Sequence, residues 1–273
     1  MFDLAAKRTA LLANIAGHRS CAVAYSGGVD SAVVAKAAFE ALGENAVAIT
    51  GTSASLAVGE LEQATETARL IGIRHRVIAT DEFQQPEYLR NAPDRCFHCK
   101  TELYSQLERL LPELGVSVIL NGANVDDAGD YRPGMLAAAD HSVRSPLAEC
   151  RLTKADVREL AAAWNLPVWD KPASPCLSSR VAYGEEVTPE RLAMVDAAEQ
   201  FLRQKGLKIC RVRYHRGDLA RVEVPTKELQ RLCEPEIRQE LAAELRRLGF
   251  KFVTIDLEGF RSGSLNELLQ ITG

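Results

Sequence analysis

No stretch of this chain stays apolar for more than a handful of residues, and even 116–120 is interrupted by Ser117. A bilayer-spanning helix needs about 20 apolar residues, so none is expected here. The amino-terminal segment carries Lys7 and Arg8 and lacks the apolar core of a secretory leader. A cytoplasmic protein is the expectation. Positive charge is not in excess either: 33 Lys and Arg stand against 37 Asp and Glu, a net charge of −4. That balance argues against a surface built to grip nucleic acid. Internal repeats and low-complexity segments are absent. Seven cysteines, an odd number, are too few for a disulfide-stapled miniature fold. They read as core residues, metal ligands or reactive thiols.

What is present is the make-up of an ordinary globular protein, with 47% apolar and 26% charged residues over 273 positions. That length suits one large domain or two modest ones. Charge is unevenly spread: residues 200–273 hold 14 Lys and Arg against 10 Asp and Glu, enough for one or two phosphate groups.

Apolar spacing predicts a leading helix over 2–17. A strand at 21–25 then meets Ser26-Gly27-Gly28-Val29-Asp30-Ser31, and an Ala- and Val-rich helix follows over 31–42. The alternation continues with strand 46–50, helix 58–71, strand 75–79, helix 101–111, strand 116–121 and a helix capped by Thr153. Such alternation predicts an α/β domain with a parallel sheet covered on both faces. An irregular stretch over 165–187 carries three prolines. Beyond it Thr188-Pro189-Glu190 starts a helix. Residues 209–214 and 219–224 form a hairpin with one wet face, and helix 235–248 and strand 250–255 complete a smaller α+β unit. The expected domains are 1–180 and 181–273.

The hexapeptide at 26–31 lies where a buried strand turns into a helix. Free amides and the positive end of the helix dipole favour an anion there. Gly27 and Gly28 let the backbone curl around it, Ser26 and Ser31 add hydroxyl donors, and Asp30 can hold the Mg2+ that accompanies a phosphate. No lysine follows the second glycine, so this is not a Walker loop. The sequence here resembles the PP-loop ATP pyrophosphatases, which adenylate a carboxyl or carbonyl group with ATP. Asn121-Gly122-Ala123-Asn124-Val125-Asp126-Asp127 fits that family's second nucleotide-side loop. Asp126 and Asp127 are either turn residues or a further metal contact, and Asp127 is taken as part of the nucleotide site.

Four further segments are similar in order and spacing to the LarE sulfur transferases: Asp130 to Gly134, Ser174-Pro175-Cys176-Leu177-Ser178-Ser179-Arg180, Arg211 to His215, and Gly259 to Gly263. The resemblance covers nearly the whole chain. It implies adenylation of a carboxylate of pyridinium-3,5-biscarboxylic acid mononucleotide, followed by sulfur insertion to give a thiocarboxylate. It also implies a homo-oligomer. The family's reactive cysteine matches Cys176, and Arg180 nearby favours the thiolate. Cys21, Cys150, Cys210 and Cys233 read as small core residues.

Arg211 and Arg213 are two apart on a strand and share a face, with Cys210, Val212 and Tyr214 on the other. A guanidinium pair suits a phosphate monoester, and the resemblance assigns it to the mononucleotide phosphate. It likewise places Glu199 near the reacting cysteine as a base. Arg95-Cys96-Phe97-His98-Cys99-Lys100 departs from those LarE proteins that carry a single, sacrificial cysteine. Cys96, Cys99 and Cys176 can supply three thiolates to a labile 4Fe–4S cluster with one open iron, the arrangement that cluster-dependent LarE proteins use to carry a sulfide. The loop with Cys96 and Cys99 after the third strand and the interdomain loop with Cys176 are both expected over the carboxyl edge of the sheet. A zinc site lacks an obvious fourth ligand. The alternatives are sacrifice of the Cys176 sulfur, a PP-loop tRNA thiolase, an amide-forming synthetase and a non-catalytic nucleotide sensor.

Overall fold

The computed structural model describes residues 4–129, 133–261 and 264–266. The chain divides into two compact units. The first comprises Met1–Ser53, Val58–Glu82 and Cys96–Ser174, and the second Ala54–Ala57, Phe83–Arg95 and Pro175–Gly273. Residues 54–57, 83–95 and 175–180, which chain order assigns to the first domain, therefore pack within the second unit. Residues 55, 88 and 95 there contact the turn around Cys176 described below, and chain order carries no information about that.

In the first unit four strands, β1 (Cys21–Ala24), β2 (Ala46–Thr52), β3 (Arg74–Ala79) and β4 (Ile119–Leu120), form a parallel sheet in the order β3-β2-β1-β4. Side chains alternate across it as the pleat requires. Cys21 and Val23 of β1 and Ala46 and Ala48 of β2 enter one core, whereas Ala22, Val47 and Ile49 enter another. Both faces are thus buried, which is why these strands read as continuous apolar runs. The first face is covered by α1 (Leu4–Ala16), α2 (Val29–Leu42), α3 (Glu60–Ile71) and, after two short helices introduced below, a helix at Lys154–Ala163. Helix α2 is buried on nearly every side, and its alanines at 32, 35, 37 and 38 let its neighbours approach closely.

The second unit contributes a short helix α4 (Pro86–Leu89). Helix α5 spans Arg95–Leu114, so it starts six residues before the expected 101 and places Tyr104 and Leu107 in the second core of the first unit. Sequence pattern also misses α6 (Pro133–Asp140) and α7 (Pro146–Glu149); the helix at Lys154–Ala163 is then α8. Strand β4 is only two residues long, because residues 116–118 lie outside the ladder.

Around the second sheet, α9 (Pro189–Gln204) begins at its Thr188 cap and buries Leu192, Val195, Ala198 and Leu202. Strands β5 (Arg211–His215) and β6 (Leu219–Glu223) pair antiparallel, and after α10 (Leu229–Leu232) and α11 (Pro235–Arg247) the chain adds β7 (Phe252–Ile255) parallel to β6. The hairpin is not wet on one face. Arg213 and Glu223 are buried together with Val212, Tyr214 and Val222, because each charge is the other's partner.

Candidate active site

Strand β1 delivers the chain into the turn at 26–31. Gly27 has φ +72°, and a Cβ there would lie 2.7 Å from the Cβ of Ala64 on α3, so both backbone hand and space demand glycine. Gly28 is the N-cap of α2 and makes no side-chain capping bond. The turn is closed by its own serines: the Ser26 amide donates to Ser31 Oγ at 3.2 Å, the two hydroxyls lie 3.1 Å apart, and Ser31 Oγ donates to the Gly28 carbonyl at 3.1 Å. The first-turn amides of α2 remain for an anion.

Because β1 lies between β2 and β4, the sheet reverses its winding there, and the turns after β1 and β4 share one carboxyl edge. They touch. A Cβ on Gly122 would stand 2.8 Å from the Ser31 amide nitrogen. Asn124 Nδ2 donates to Asp30 Oδ1 at 3.1 Å, and Asp127 Oδ2 accepts from the Asn124 amide at 3.0 Å. The Oδ2 of Asp126 instead accepts the Lys154 amide at 2.7 Å, at the start of α8. That positions Lys154, whose ammonium is ion-paired with the second oxygen of Asp30. Lys154 was not singled out from sequence. The available signal was a cation in the first turn of a helix, where the dipole opposes it.

In the second unit, Cys176 caps a one-turn 3-10 helix at Leu177–Arg180 and is exposed, while Leu177, Ser178 and Arg180 are buried. Arg180 is fully buried and turns its guanidinium back onto its own loop. It donates to the carbonyls of Pro175 and Cys176 and to Ser179 Oγ. Glu199 of α9 holds that guanidinium, accepting from Arg180 Nε at 3.1 Å. The oxygens of Glu199 also accept from Arg203 at 2.8 Å and from the Val212 amide at 3.2 Å. With both oxygens so engaged, the geometry makes Glu199 an anchor of Arg180.

The two strand arginines differ. Arg213 makes two hydrogen bonds to Glu223 Oε2, at 3.0 and 2.8 Å, and donates to the Ser179 carbonyl at 3.1 Å. Arg211 lies half-buried over the ring of Phe260 and donates to the Cys210 carbonyl. Burial, and then the neighbouring guanidinium of Arg180, push its pKa down. An anion beside Arg211 relieves that repulsion. The motif residues 130–132, 262 and 263 lie outside the described residues.

Cys96 and Cys99 stand one turn apart at the start of α5, not in a loop. Among the described residues no group of three or more His, Cys, Asp or Glu side chains is gathered that could hold a metal ion. Of the remaining cysteines, Cys21 and Cys210 are buried, and burial pushes their thiols up to about 12 and about 11. Cys150 is half-buried, and Cys233 is exposed, contrary to the expectation of a core residue. Neither amphipathic segment fixes which face meets the core.

No protein-family model matches the chain. An uncharacterized protein of Synechocystis is 47% identical over 247 residues, covering 90% of this chain and 92% of that protein. Pyridinium-3,5-bisthiocarboxylic acid mononucleotide synthase of Lactiplantibacillus plantarum is 36% identical over 270 residues, or 98% of this chain and 97% of that protein. The chain belongs to that family, LarE. As a LarE protein it is an ATP-dependent sulfurtransferase with a PP-loop domain. The tRNA-specific 2-thiouridylase MnmA of Xanthobacter autotrophicus is similar over a smaller region, 32% identical across 56% of this chain and 49% of that protein. Among the described residues of this LarE chain, no helix is long and apolar enough to cross a membrane.

Proposed function

We propose that this protein adenylates a carboxylate of pyridinium-3,5-biscarboxylic acid mononucleotide and converts it to a thiocarboxylate. The observation that carries the reading is the match, over 98% of the chain, to the synthase of the bisthiocarboxylic acid mononucleotide. In the first half-reaction a carboxylate oxygen attacks the α-phosphorus of ATP, pyrophosphate leaves, and an acyl adenylate forms. Ser26, Gly27, Gly28 and Ser31 receive the pyrophosphate end. Asp30 and Asp127 would hold Mg2+, which would supply positive charge for the phosphates, and Lys154, paired with Asp30 at the turn, stands beside them. It supplies the cation that the loop lacks. Arg211 takes the mononucleotide phosphate, with Arg213 fixing the strand beside it.

The second half-reaction needs sulfur, for which the reading has two forms. In one, Cys96, Cys99 and Cys176 would hold an oxygen-labile 4Fe–4S cluster, a reading supported by their thiol chemistry and the one-turn spacing of the first two. When bound, such a cluster supplies a sulfide. In the other, the Cys176 thiolate attacks the acyl carbon and AMP departs with the electron pair. Loss of the Cys176 Cα proton then breaks the Cβ–S bond, leaving dehydroalanine and releasing the thiocarboxylate. The exposed position of Cys176 supports this form.

The deciding experiment is anaerobic incubation of reconstituted protein with the mononucleotide, MgATP and sulfide, followed by mass spectrometry of product and protein. A thiocarboxylate with AMP is expected; neither appearing overturns the reading. About four irons per chain, falling in Cys96→Ala and Cys99→Ala, with residue 176 unchanged after turnover, selects the cluster form. Dehydroalanine at 176 selects the sacrificial one.

A further inference from the structure

The turn that carries Cys176 is gripped from a second side by residues that no motif includes. Asn91 is fully buried and adopts φ +53°, a left-handed conformation that few residues other than glycine, asparagine and aspartate tolerate. Its side chain is fully employed. Nδ2 donates to the carbonyls of Val181 and Ala182, at 3.2 and 2.9 Å, and Oδ1 accepts from Arg95 Nη1 at 2.6 Å. The same Arg95 nitrogen donates to the Ser178 carbonyl at 2.6 Å, and Arg95 is itself buried. Tyr88 completes the grip, its hydroxyl lying 2.6 Å from Ser178 Oγ. Residues 178, 181 and 182 are thus held by side chains from 88, 91 and 95, which lie within eight residues of one another in the chain. Arg180, Arg213 and the Ser55 carbonyl, which accepts the Leu177 amide at 2.8 Å, hold the other contacts of the turn.

We propose that Asn91 and Arg95 form a brace that places the Cys176 thiol for sulfur transfer, which makes them positioning residues for that step. Cys176 itself is exposed, so its location depends chiefly on how its backbone is held. A buried cation on a main-chain carbonyl does this more firmly than a neutral donor, because a charge-assisted bond is shorter and stronger. A reacting atom displaced by about 1 Å loses about 10²-fold in rate, so a small loosening of this turn has a large effect on transfer. Adenylation, carried out by the loop at 26–31, does not depend on the brace. The proposal rests on the reading of Cys176 as the residue that handles sulfur.

The experiment compares Arg95→Met, Arg95→Lys and Asn91→Gly with the unaltered protein. Asn91→Gly keeps the left-handed backbone and removes only the side-chain bonds. Pyrophosphate release and thiocarboxylate formation are measured separately, with amide exchange of the 175–182 segment by mass spectrometry. Arg95→Met and Asn91→Gly are expected to release pyrophosphate within about twofold of the unaltered rate, to transfer sulfur about tenfold or more slowly, and to exchange faster at 175–182 but not at 21–31. Arg95→Lys, which keeps a charged donor, is expected to regain part of the transfer rate. Transfer unchanged in Asn91→Gly, or pyrophosphate release and transfer falling together, would overturn the brace. Should Arg95→Met not fold, Asn91→Gly and Arg95→Lys decide. If the unaltered protein forms no thiocarboxylate, the functional reading fails, and unchanged exchange in Asn91→Gly is then the result that also removes the brace.

Discussion

Lys154 and Asp30, separated by 124 positions in the chain, form an ion pair at the start of the helix that follows the turn at 26–31. A PP-loop has no lysine of its own. Here one is delivered by α8, whose first amide is fixed by Asp126 and whose Thr153 and Asp156 complete a capping box. The pair places a cation beside the carboxylate proposed to hold Mg2+.

The order of the half-reactions can be tested on this pair. Asp30→Ala is expected to lower pyrophosphate release by about 10²-fold or more, the scale of a lost electrostatic contact in a transition state. Lys154→Ala should lower it less, and Cys176→Ala should leave it intact while blocking thiocarboxylate formation. Normal release by Asp30→Ala would remove the loop from the chemistry.

Gly27→Ala should both unfold more readily and fail to adenylate. The left-handed backbone and a Cβ at 2.7 Å from Ala64 together cost about 1–3 kcal/mol. Urea midpoints measure the loss, and an unchanged midpoint would mean that the turn relaxes freely.

The two strand arginines should separate cleanly. Arg211→Ala is expected to weaken mononucleotide binding by about 1.5–3 kcal/mol, a charge-assisted bond, with little change in melting temperature. Arg213→Ala leaves Glu223 buried with one partner fewer and should destabilise the protein by about 3–5 kcal/mol. Calorimetric titration and thermal melts distinguish the two, and equal effects in both assays would contradict the assignment.

Stability should fall as the pH drops from 7.5 to 5.5. Burial, with the Arg221 guanidinium beside it, holds the His215 imidazole below its ordinary value of 6.5. Its Nε2 accepts from Arg221 Nε at 3.0 Å, which only the neutral ring can do. Below 6.5 the unfolded chain therefore binds more protons at this site than the folded one, so stability rises with pH through that window. His75, also lowered by burial, acts in the same direction. Melting temperatures of the unaltered protein and of His215→Gln at both pH values check this: the variant should show the shallower slope.

The parallel sheet, the turn at 26–31 and the cap at Thr188 were legible because each is written in a few adjacent residues. An apolar strand running into Gly27-Gly28 and a Thr-Pro-Glu start need no distant partner to be read. The loop at 121–127 was legible for the same reason, although only the fold separates Asp126, which anchors α8, from Asp127. What tertiary structure alone decided is where charges found partners far along the chain. Arginines on alternate strand positions promise a solvated face, yet Arg213 is buried because Glu223 lies beside it across the hairpin. Asn91 and Arg95 carry no motif, and only folding brings their side chains to the carbonyls of 178, 181 and 182. Local sequence sets backbone propensity and pattern, whereas burying a charge depends on a neighbour that the chain supplies from elsewhere.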